Sequence, residues 1–581
     1  MPSITITSPT APPDWALLQR ELMRAQATAC ELFYHTYFDN RGYLKCIPRW
    51  GGNDGPDDAI ENLTGYSMVH TLGGPQHIFD LYKQAWEGHI QQYSEAKTTV
   101  VPIGRDGMYY KEFPACFDWF HHGESLTIFN LQGLSDPHEI SFGHRVRRYA
   151  GFYMDEDPQA KNYDPKHKII RSLFNGSRGP LLRKATGLDW AGDPLEVEGR
   201  FLAPRHGERN FEEMLMHFQD YTDVVGDQPL NMAATTLGLN AYALTHEAKY
   251  KTWLLEYVDA WAERAATNNG ILPSNIGLDG TIGGECGGRW YGGCYGWGFT
   301  VVVPQTGKTS DRNALYRGVA GFGNALLLTG EQKYPNVWST MLNAVNSNSK
   351  KENGQTLYPH MHGDNGWYAY APEPYNQGAL DVYYWTMDEA DRKYVPKNSW
   401  LDFLHGKNTT YPAESLRNAL SSIRHKMEQV RNDNTSTDTR LSDDPLPYNP
   451  ATTVNTLIQQ QLGGLVPRHG EPLHARVRYF NPKHQRPGLP QDVAALVESL
   501  TADSVTLSLV NINQTEKRDV IVQSGAYAEH QITAIETGGQ TQSCDTSWIT
   551  IRLHPGCGTR LTLKTNRYVN TPTFSFPWDR D

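Results

Sequence analysis

The segment FDWFHHGESL, residues 117–126, places two acids and two histidines close together. If a helix begins at Asp118, then His121 and His122 follow at the third and fourth positions and lie on the same face as the acid. A carboxylate one turn from an imidazole fixes its tautomer and raises its pKa, so the pair could donate or accept a proton. The alternative is a helix-capping Asp118 followed by core histidines. We favour the catalytic interpretation because Glu124 continues the polar run.

A second acidic segment, RWGGNDGPDDAIEN, occupies residues 49–62. Its paired aspartates at positions 57 and 58 are explained by helix capping, with Glu61 close to a capping-box position. Capping does not explain Trp50 and Asp54, which stand before the glycine and proline. We therefore predict Asp54 as a catalytic candidate and Trp50 as a substrate contact.

Two longer segments combine arginines with aromatic rings. In NGSRGPLLRKATGLDWAGDP, residues 175–194, either Arg178 or Arg183 could bind a carboxylate through two parallel hydrogen bonds. In GGECGGRWYGGCYGWGF, residues 283–299, glycines permit close backbone approach to a ligand and the rings offer stacking surfaces. The alternative is a disordered glycine-rich loop, but such loops rarely contain several aromatic side chains. Both segments are expected at a binding site.

The candidate residues form two sets. The catalytic candidates are Asp118, His121, His122, Asp54 and Glu285. The candidate substrate contacts are Trp50, Trp119, Glu124, Asn175, Arg178, Trp190, Arg289, Trp290, Tyr291, Trp297, His360, Trp367 and Tyr370. The histidines lack the usual spacings of zinc ligands, and there is no phosphate loop, dinucleotide fingerprint or nucleophile-elbow serine. We predict no cofactor and assign no metal ligand, and whether a metal is bound is left open.

The elements that must position these residues alternate along the first ~465 residues. Long amphipathic segments with charges on one side begin near residues 14, 76, 139, 246, 334 and 411. Short, nearly uncharged segments rich in small residues begin near 58, 118, 230, 313, 376 and 449. Six outer–inner helix pairs of this kind predict a mainly α protein, an (α/α)6 toroid. The long links at about 158–229 and 268–312 run from outer to inner helices, so both should lie on the ring face where inner helices begin.

Beyond residue ~473 the pattern changes to a period of two. Alternating segments at 504–512, 518–525, 547–556 and 559–565 predict antiparallel strands. We therefore expect a toroid domain at residues 1–470 and a C-terminal β-sandwich domain at 471–581. The proline-rich stretch at 484–492 is predicted to be a loop.

Composition limits the partners of the 581-residue chain. A net charge of −11 argues against a nucleic acid or an anionic membrane surface. No stretch has the roughly 18 consecutive apolar residues of a membrane span, and the first residues do not have the pattern of a secretory signal. The seven cysteines show no repeated metal-pair spacing. We expect a cytoplasmic protein with reduced thiols, and its oligomeric state is left open, with a homo-oligomer as one possibility.

The helix-pair ring, the aromatic mouth and the trailing β domain resemble the six-hairpin carbohydrate-active enzymes, which include uronide hydrolases and polysaccharide lyases. Four segments carry the narrower resemblance, to exo-β-glucuronidases of glycoside hydrolase family 154: WGGNDGPDDAIEN, EFPACFDWFHHGESL, NGSRGPLL and VVVPQTGK. The resemblance implies cleavage of a uronic-acid-containing oligo- or polysaccharide. It assigns no catalytic residue to a numbered position here.

The residues leave hydrolase and lyase both open. A glycosidase needs two carboxyls, which Asp118 with Asp54 or Glu285 would supply, and Arg178 and Arg289 would bind the uronate. A lyase needs a neutral base beside the uronate carboxylate, which a histidine of the first segment, Tyr291 or Tyr370 would supply.

Two further hypotheses belong to other classes of protein. A hydratase or isomerase similar to linalool dehydratase-isomerase would use Cys286 or Cys294, although its pocket should be less charged. A non-catalytic toroid would bind sugar without turnover.

Overall fold

The structure is a computed structural model, and it describes residues 3–52, 54–194, 201 and 208–580. Its helices are α1 Asp14–Tyr37, α2 Pro56–Glu61, α3 Tyr66–Thr71, α4 Gln76–Glu95, α5 Trp119–Asn130, α6 Gln132–Ser135, α7 Ile140–Gly151, α8 Gly187–Ala191, α9 Phe211–His217, α10 Thr235–Thr245, α11 Ala248–Thr267, α12 Val319–Thr329, α13 Lys333–Asn346, α14 Ala379–Thr386, α15 Ser399–Leu404, α16 Tyr411–Asn432 and α17 Val454–Leu462.

The helices follow the predicted alternation of outer and inner segments. Six long helices with one buried face (α1, α4, α7, α11, α13 and α16) alternate with shorter, mostly buried ones (α2–α3, α5, α10, α12, α14 and α17). Inner helices pack against the next outer helix, as α3 does on α4 and α10 on α11. The first outer helix, α1, also packs against the last, α16, as a closed ring requires. The prediction of six helix pairs is confirmed.

Several inner helices begin with a tight 3₁₀ turn. Short 3₁₀ helices at Pro229–Ala234, Leu315–Gly318 and Pro450–Thr453 lead directly into α10, α12 and α17. Proline suits the first position of two of them because its missing N–H would be unsatisfied there anyway. These starts lie close to the predicted ones and gather at one face of the ring, called here the ring mouth.

The strands are mostly short before residue 470 and longer after it. They are β1 Ser3–Ile6, β2 Tyr109–Tyr110, β3 Phe113–Pro114, β4 Tyr163–Asp164, β5 Ile169–Ile170, β6 Thr300–Val302, β7 Thr309–Asp311, β8 Lys350–Glu352, β9 Gln355–Leu357, β10 Met361–Gly363, β11 Gly366–Tyr368, β12 Val477–Asn481, β13 Arg486–Pro487, β14 Val493–Leu500, β15 Ser504–Asn511, β16 Arg518–Ser524, β17 Gln531–Thr537, β18 Gln540–Thr546, β19 Trp548–Leu553 and β20 Gly558–Asn566.

The C-terminal strands form two five-stranded sheets, in the orders β1-β19-β16-β12-β13 and β14-β15-β20-β17-β18. All their pairs are antiparallel except that of β1, which adds the start of the chain to the first sheet as a parallel neighbour of β19. The four predicted strands are confirmed as β15, β16, β19 and β20. The proline-rich loop contains the two-residue strand β13. Packing of the two sheets as a sandwich, and the division at residue 470, stay predictions.

Ring and sheets share one hydrophobic core. The main cluster of buried side chains runs from Phe33 on α1 through Phe322 on α12 to Leu507 on β15. The inner helix α17 and the outer helix α1 both pack against β14. All seven cysteines are free thiols. Among the described residues, no helix is both long and apolar enough to cross a membrane.

Candidate active site

A cavity of about 470 Å³ opens at the ring mouth. The first turns of α2 and α5 supply its acidic wall, and the two long links and the approach to α12 supply the rest. Its polar lining includes Asp57, Asp58, Glu61, His121, Glu124 and Arg312. Its aromatic lining includes Phe120, Trp190, Phe218, Tyr221, Tyr295 and Tyr316. Both long links therefore contribute to one cavity, called here the mouth cavity.

At the start of α2 the two adjacent aspartates have separate roles. The backbone N–H of Gly55 donates a 2.7 Å hydrogen bond to Asp58 Oδ2, so Asp58 closes the first turn. Asp57 is freed from capping and turns to the cavity. It is only 6% exposed, and its Oδ1 has no hydrogen-bond partner. A buried carboxyl oxygen without a donor is costly, which is typical of functional sites.

At the start of α5, Asp118 combines capping with orientation of a histidine. Asp118 is fully buried, and its Oδ1 accepts hydrogen bonds from the backbone N–H groups of Phe120 and His121, at 2.7 and 3.2 Å. Its Oδ2 accepts a 2.5 Å bond from His121 Nδ1. Phe117 stacks on the imidazole with ring centroids 4.5 Å apart. The other ring nitrogen, Nε2, is thereby left for the cavity.

The two adjacent histidines are in opposite electrostatic environments. Burial alone would lower the pKa of His121, but the charges of Asp118 and Asp57 outweigh it and raise that pKa to about 9. Burial lowers the pKa of His122 to about 4, and its Nε2 donates a 2.8 Å bond to the carbonyl oxygen of Asn175. At neutral pH, His121 is a cation facing the cavity and His122 is a neutral core residue.

Glu124 lies one turn further along α5 and is held by a buried arginine. Arg317, 3% exposed, donates from Nη2 to Glu124 Oε1 at 2.8 Å. Its Nη1 donates to the carbonyl oxygen of Phe120, and its guanidinium lies over the Phe120 ring. These contacts fix the carboxylate on the cavity wall.

Three polar groups converge at the centre of the acidic wall. One carboxyl oxygen of Asp57, one of Glu124 and a ring nitrogen of His121 all lie within 4.8 Å of one another. Burial raises the pKa of Asp57 to about 6, although the charge of His121 acts in the opposite direction. Burial and the charges of Glu124 and Asp57 raise the pKa of Glu61 well above its usual value. The wall thus holds carboxyls that keep a proton to higher pH than free acids.

The cavity also has a continuous aromatic wall. Trp190 stacks on Phe218 with centroids 6.1 Å apart and contacts Tyr221 at 5.2 Å. Tyr295 contacts Tyr221 at 5.7 Å and stacks on Phe120 at 5.1 Å. A wall of ring faces with polar edges, together with carboxyl groups, suits a sugar ring.

The same acidic wall has the residue types of a metal site. Imidazole and carboxylate groups bind divalent transition metals, and a carboxylate on the far ring nitrogen, as Asp118 provides, orients a ligating histidine. Asp57, His121 and Glu124 are the described residues that could hold such an ion. The acid–base chemistry considered below needs no metal.

Of the residues predicted from sequence, His121, Glu124 and Trp190 line the mouth cavity, and Asp118 supports it from behind. The structure places Asp54 away from the cavity, where its Oδ1 accepts from the backbone N–H and the hydroxyl of Ser442, at 2.8 and 2.5 Å. Glu285 is exposed, and its carboxylate accepts from the N–H of Leu278. The predicted carboxyl partners of Asp118 are thus not brought to it.

Several predicted substrate contacts are buried structural residues. Trp119 is fully buried, and its Nε1 and the hydroxyl of Tyr153 both donate to Asn175 Oδ1, at 3.0 and 2.6 Å. The indole of Trp50 donates to the carbonyl oxygen of Asp189, and that of Trp297 to the carbonyl oxygen of Leu272. These side chains hold the long links against the ring.

The remaining predicted contacts lie outside the mouth cavity. Arg178 is partly exposed and stacks over the ring of Tyr110 at 4.5 Å. His360 bonds to the carbonyl oxygen of Glu373. The hydroxyl of Tyr370 donates to the carbonyl oxygen of Asn348.

Arg289 and Tyr291 line a separate cavity of about 300 Å³. Trp290 and Trp367 pack around His362 next to Tyr291. The arginines predicted to bind a uronate are therefore not in the mouth cavity.

Sequence reasoning missed Asp57, Glu61, Arg317 and the Tyr221–Tyr295 wall as site residues. Asp57 and Glu61 stand four positions apart, which is one face of a helix, and this spacing could have identified them. Arg317 and the tyrosines had no such local signal because their partners are distant in the chain.

Three solved structures resemble the chain at low identity. Cellobiose 2-epimerase from Bacillus thermoamylovorans B4167 is 8% identical, with a TM-score of 0.33, over 75% of this chain and 98% of that one. The GH76A alpha-1,6-mannanase of Salegentibacter sp. HEL1_6 is 10% identical, with a TM-score of 0.28, over 76% and 99%. An inactive variant of that mannanase in complex with alpha-1,6-mannotetrose is 11% identical, also at 0.28, over 76% and 100%. Because these TM-scores lie below 0.5, none of the three assigns a reaction to this chain.

No curated protein matches the sequence at a significant level. A protein-family model with the description "Domain of unknown function (DUF8034)" matches residues 3–397. The match includes Asp57, Glu61, His121 and Glu124 of the acidic wall.

Proposed function

We propose that this chain, which belongs to the DUF8034 family, is a retaining glycoside hydrolase that acts on an uncharged sugar in the mouth cavity. One observation carries the proposal: the partly protonated carboxyl of Asp57 lies within 4.8 Å of the arginine-held carboxylate of Glu124, in a cavity with an aromatic wall. Two carboxyls whose surroundings differ in this way are suited to different roles.

The separation of the two carboxyls favours retention. Retaining glycosidases have carboxyl groups about 5–5.5 Å apart, whereas inverting enzymes need about 6.5–9.5 Å to admit a water molecule. One oxygen of Asp57 and one of Glu124 lie within 4.8 Å of each other, which is nearer to the spacing of a retaining pair. The geometry therefore favours a covalent intermediate.

Asp57 and Glu124 have different roles in each of the two steps. In the first step protonated Asp57 gives its proton to the glycosidic oxygen while Glu124 attacks the anomeric carbon, and the bond to the leaving sugar breaks. In the second, ionised Asp57 takes a proton from water, whose oxygen attacks the same carbon and releases Glu124. Arg317 orients Glu124 throughout, and cationic His121 faces the negative charge of both carboxylates.

A lyase is less well supported because two histidines and two tyrosines at the mouth are poorly suited to act as its base. His121 is protonated at neutral pH, and His122 is bonded to Asn175 in the core. Burial raises the pKa of both Tyr221 and Tyr295, so neither phenol is activated. A lyase would need one of these groups to take a carbon-bound proton.

The charge of the cavity favours an uncharged sugar over the uronic acid predicted from sequence. Arg317 is engaged by Glu124, which leaves Arg312 as the arginine among the described lining residues, against a wall of acids. A uronate carboxylate would face repulsion there.

The other two hypotheses have less support as well. Burial raises the pKa of Cys286 to about 11 and that of Cys294 well above its usual value, so neither thiol is a ready nucleophile for a hydratase. A sugar-binding role without turnover would not explain a buried Asp57 carboxyl whose pKa is raised beside Glu124.

The test is to incubate the full-length protein with uncharged glycosides and with glucuronides, following the first product by proton NMR. We expect an uncharged glycoside to be hydrolysed with the anomeric configuration of the substrate in the first product. Loss of activity in Glu124→Gln but not in the matched exposed variant Glu285→Gln would assign the reaction to the mouth. Inversion, an ultraviolet-absorbing unsaturated uronate, or binding without turnover would each contradict the proposal.

A further inference from the structure

A second cavity, of about 560 Å³, lies between the ring and the first C-terminal sheet. One wall is α1, through Arg20, Met23 and Arg24, and another is the turn at residues 73–75, between α3 and α4. The β12–β13 hairpin and the loop before β16 complete it. Because the turn follows the C-terminal end of an inner helix, this cavity lies on the opposite face of the ring from the mouth.

The lining of this cavity, called here the basic cavity, is rich in positive charge. Its cationic residues are Arg20, Arg24, Lys483, Arg486, Lys517 and Arg518. Its acids are Asp492, Glu516 and Asp519. Such an excess is unusual in a chain whose net charge is −11. A cavity that concentrates one sign of charge focuses the field on a ligand of the opposite sign.

Two of the three acids are paired within the wall, both with Arg518. Arg518 donates to Asp492 and to Glu516, at 2.5 Å in each case. The ammonium groups of Lys483 and Lys517 are exposed and have no ion pair within 4.0 Å among the described residues. Positive charge therefore remains on the rim for an outside anion.

Arg20 forms the floor of the cavity and lacks hydrogen-bond partners on one edge. Its side chain is 2% exposed, and Nη1 donates to the carbonyl oxygen of Pro490 at 3.2 Å. Nε and Nη2 have no partner. These two groups form the edge through which a guanidinium binds an oxyanion with two parallel hydrogen bonds. Burial of such donors without an acceptor is costly, so an acceptor is the missing element.

We propose that the basic cavity binds a small tetrahedral oxyanion, a phosphate or sulfate group, with Arg20 Nε and Nη2 as paired donors and Lys483 and Lys517 at the rim. The several positive charges around Arg20 favour a divalent oxyanion over a monovalent carboxylate. Because its walls come from α1, a ring turn and the sheet, the bound anion connects the ring to the β region. The source is either the free ion or a phosphate or sulfate ester.

The experiment measures thermal unfolding and titration calorimetry of the full-length protein with inorganic phosphate, sulfate, acetate and glucose 6-phosphate, at ionic strength held constant with chloride. We expect phosphate and sulfate, but not acetate, to raise Tm and to bind at one site. Binding of the ester as tightly as the free ion would identify an ester as the ligand source, and exclusion of the ester would identify the free ion.

Two variants test the residues. Arg20→Gln should weaken phosphate binding at least tenfold, whereas the exposed, stacked Arg178→Gln should bind as the wild type does. If Arg20→Gln does not fold, the double variant Lys483→Gln/Lys517→Gln, altered only at exposed positions, should bind phosphate several-fold more weakly. No phosphate effect beyond that of chloride, or equal binding by all variants, would overturn the proposal. Hydrolase activity is a separate readout, because neither arginine lines the mouth cavity.

Discussion

The mouth cavity and the basic cavity are of similar size, about 470 and 560 Å³, but are built from opposite charges. In the mouth cavity, Oδ1 of the buried Asp57 accepts no hydrogen bond. In the basic cavity, Nε and Nη2 of the buried Arg20 donate none. The first favours proton transfer because a carboxyl shifts its pKa when buried, whereas a guanidinium keeps its charge. Under the two proposals, burial of an ionisable group serves catalysis in the mouth cavity and binding in the basic cavity.

The largest expected effect lies at the mouth. Glu124→Ala should reduce kcat/KM by roughly 10²–10⁴-fold because the nucleophile is lost. Added azide should restore turnover and yield a glycosyl azide, which mass spectrometry detects. Glu285→Ala is the matched control and should keep full activity. If azide has no effect, Glu124 is not the nucleophile. If Glu124→Ala binds phosphate differently from the wild type, the two cavities are not independent.

The second effect concerns stability and its dependence on pH. The folded-state pKa of His121, about 9, exceeds the unfolded value of 6.5. The contribution of His121 to the free energy of unfolding is therefore fully present below pH 6.5 and is lost as pH rises through 9. We expect wild type to lose on the order of 2–3 kcal/mol of unfolding free energy across this range relative to His121→Gln. Urea unfolding of both proteins measures it.

A control separates this effect from surface histidines. His138→Gln removes an exposed imidazole paired with Asp579 and should follow the wild-type stability profile. Parallel profiles for wild type and His121→Gln would contradict the charged state assigned to His121.

A smaller effect should distinguish capping from orientation at Asp118. Asp118→Ala should cost about 1 kcal/mol through loss of the helix cap. It should also lower the pKa of His121, followed by NMR titration, and so lose part of the stability that charged His121 contributes at low pH. Glu139→Ala removes the cap of α7, where Glu139 accepts from Ser141 and Phe142, without touching the mouth. It should lower stability alone. Equal His121 titration in both variants would show that Asp118 serves only as a cap.

The smallest expected effect is that of metal removal. Because the proposed steps use carboxyls and water, dialysis against EDTA should leave kcat/KM within about twofold. Elemental analysis of the protein before dialysis provides the comparison. A loss of activity that zinc or manganese reverses would instead identify Asp57, His121 and Glu124 as metal ligands. Both cavities would then bind a charged ligand.

The fold was accessible from sequence because each helix carries its own periodic signal. The apolar residues of α1 recur every three or four positions, and α12 is almost free of charge, so outer and inner helices could be distinguished locally. The strands were less predictable. Strand β14 is buried on both faces at its start and lacks alternation, and β18 is largely exposed and polar. Neither has the half-buried pattern from which strands are predicted.

The site was accessible only where its residues are neighbours in sequence. Asp118 and His121 are three positions apart, so their bond followed from helix geometry. Glu124 and Arg317 are 193 positions apart, and nothing local connects them. Asp57 was attributed to capping because two adjacent aspartates are equivalent in sequence, and only the Gly55 bond to Asp58 distinguishes them.

The parallel pairing of β1 with β19 has a consequence for synthesis. Residues 3–6 are made long before their partners, Thr550–Leu553, which lie 547 positions further along the chain. At about 5–20 residues per second, roughly half a minute to two minutes pass before the strand can pair. During that time the β-branched segment SITI has an unpaired edge. This segment is therefore expected to require chaperone protection during synthesis.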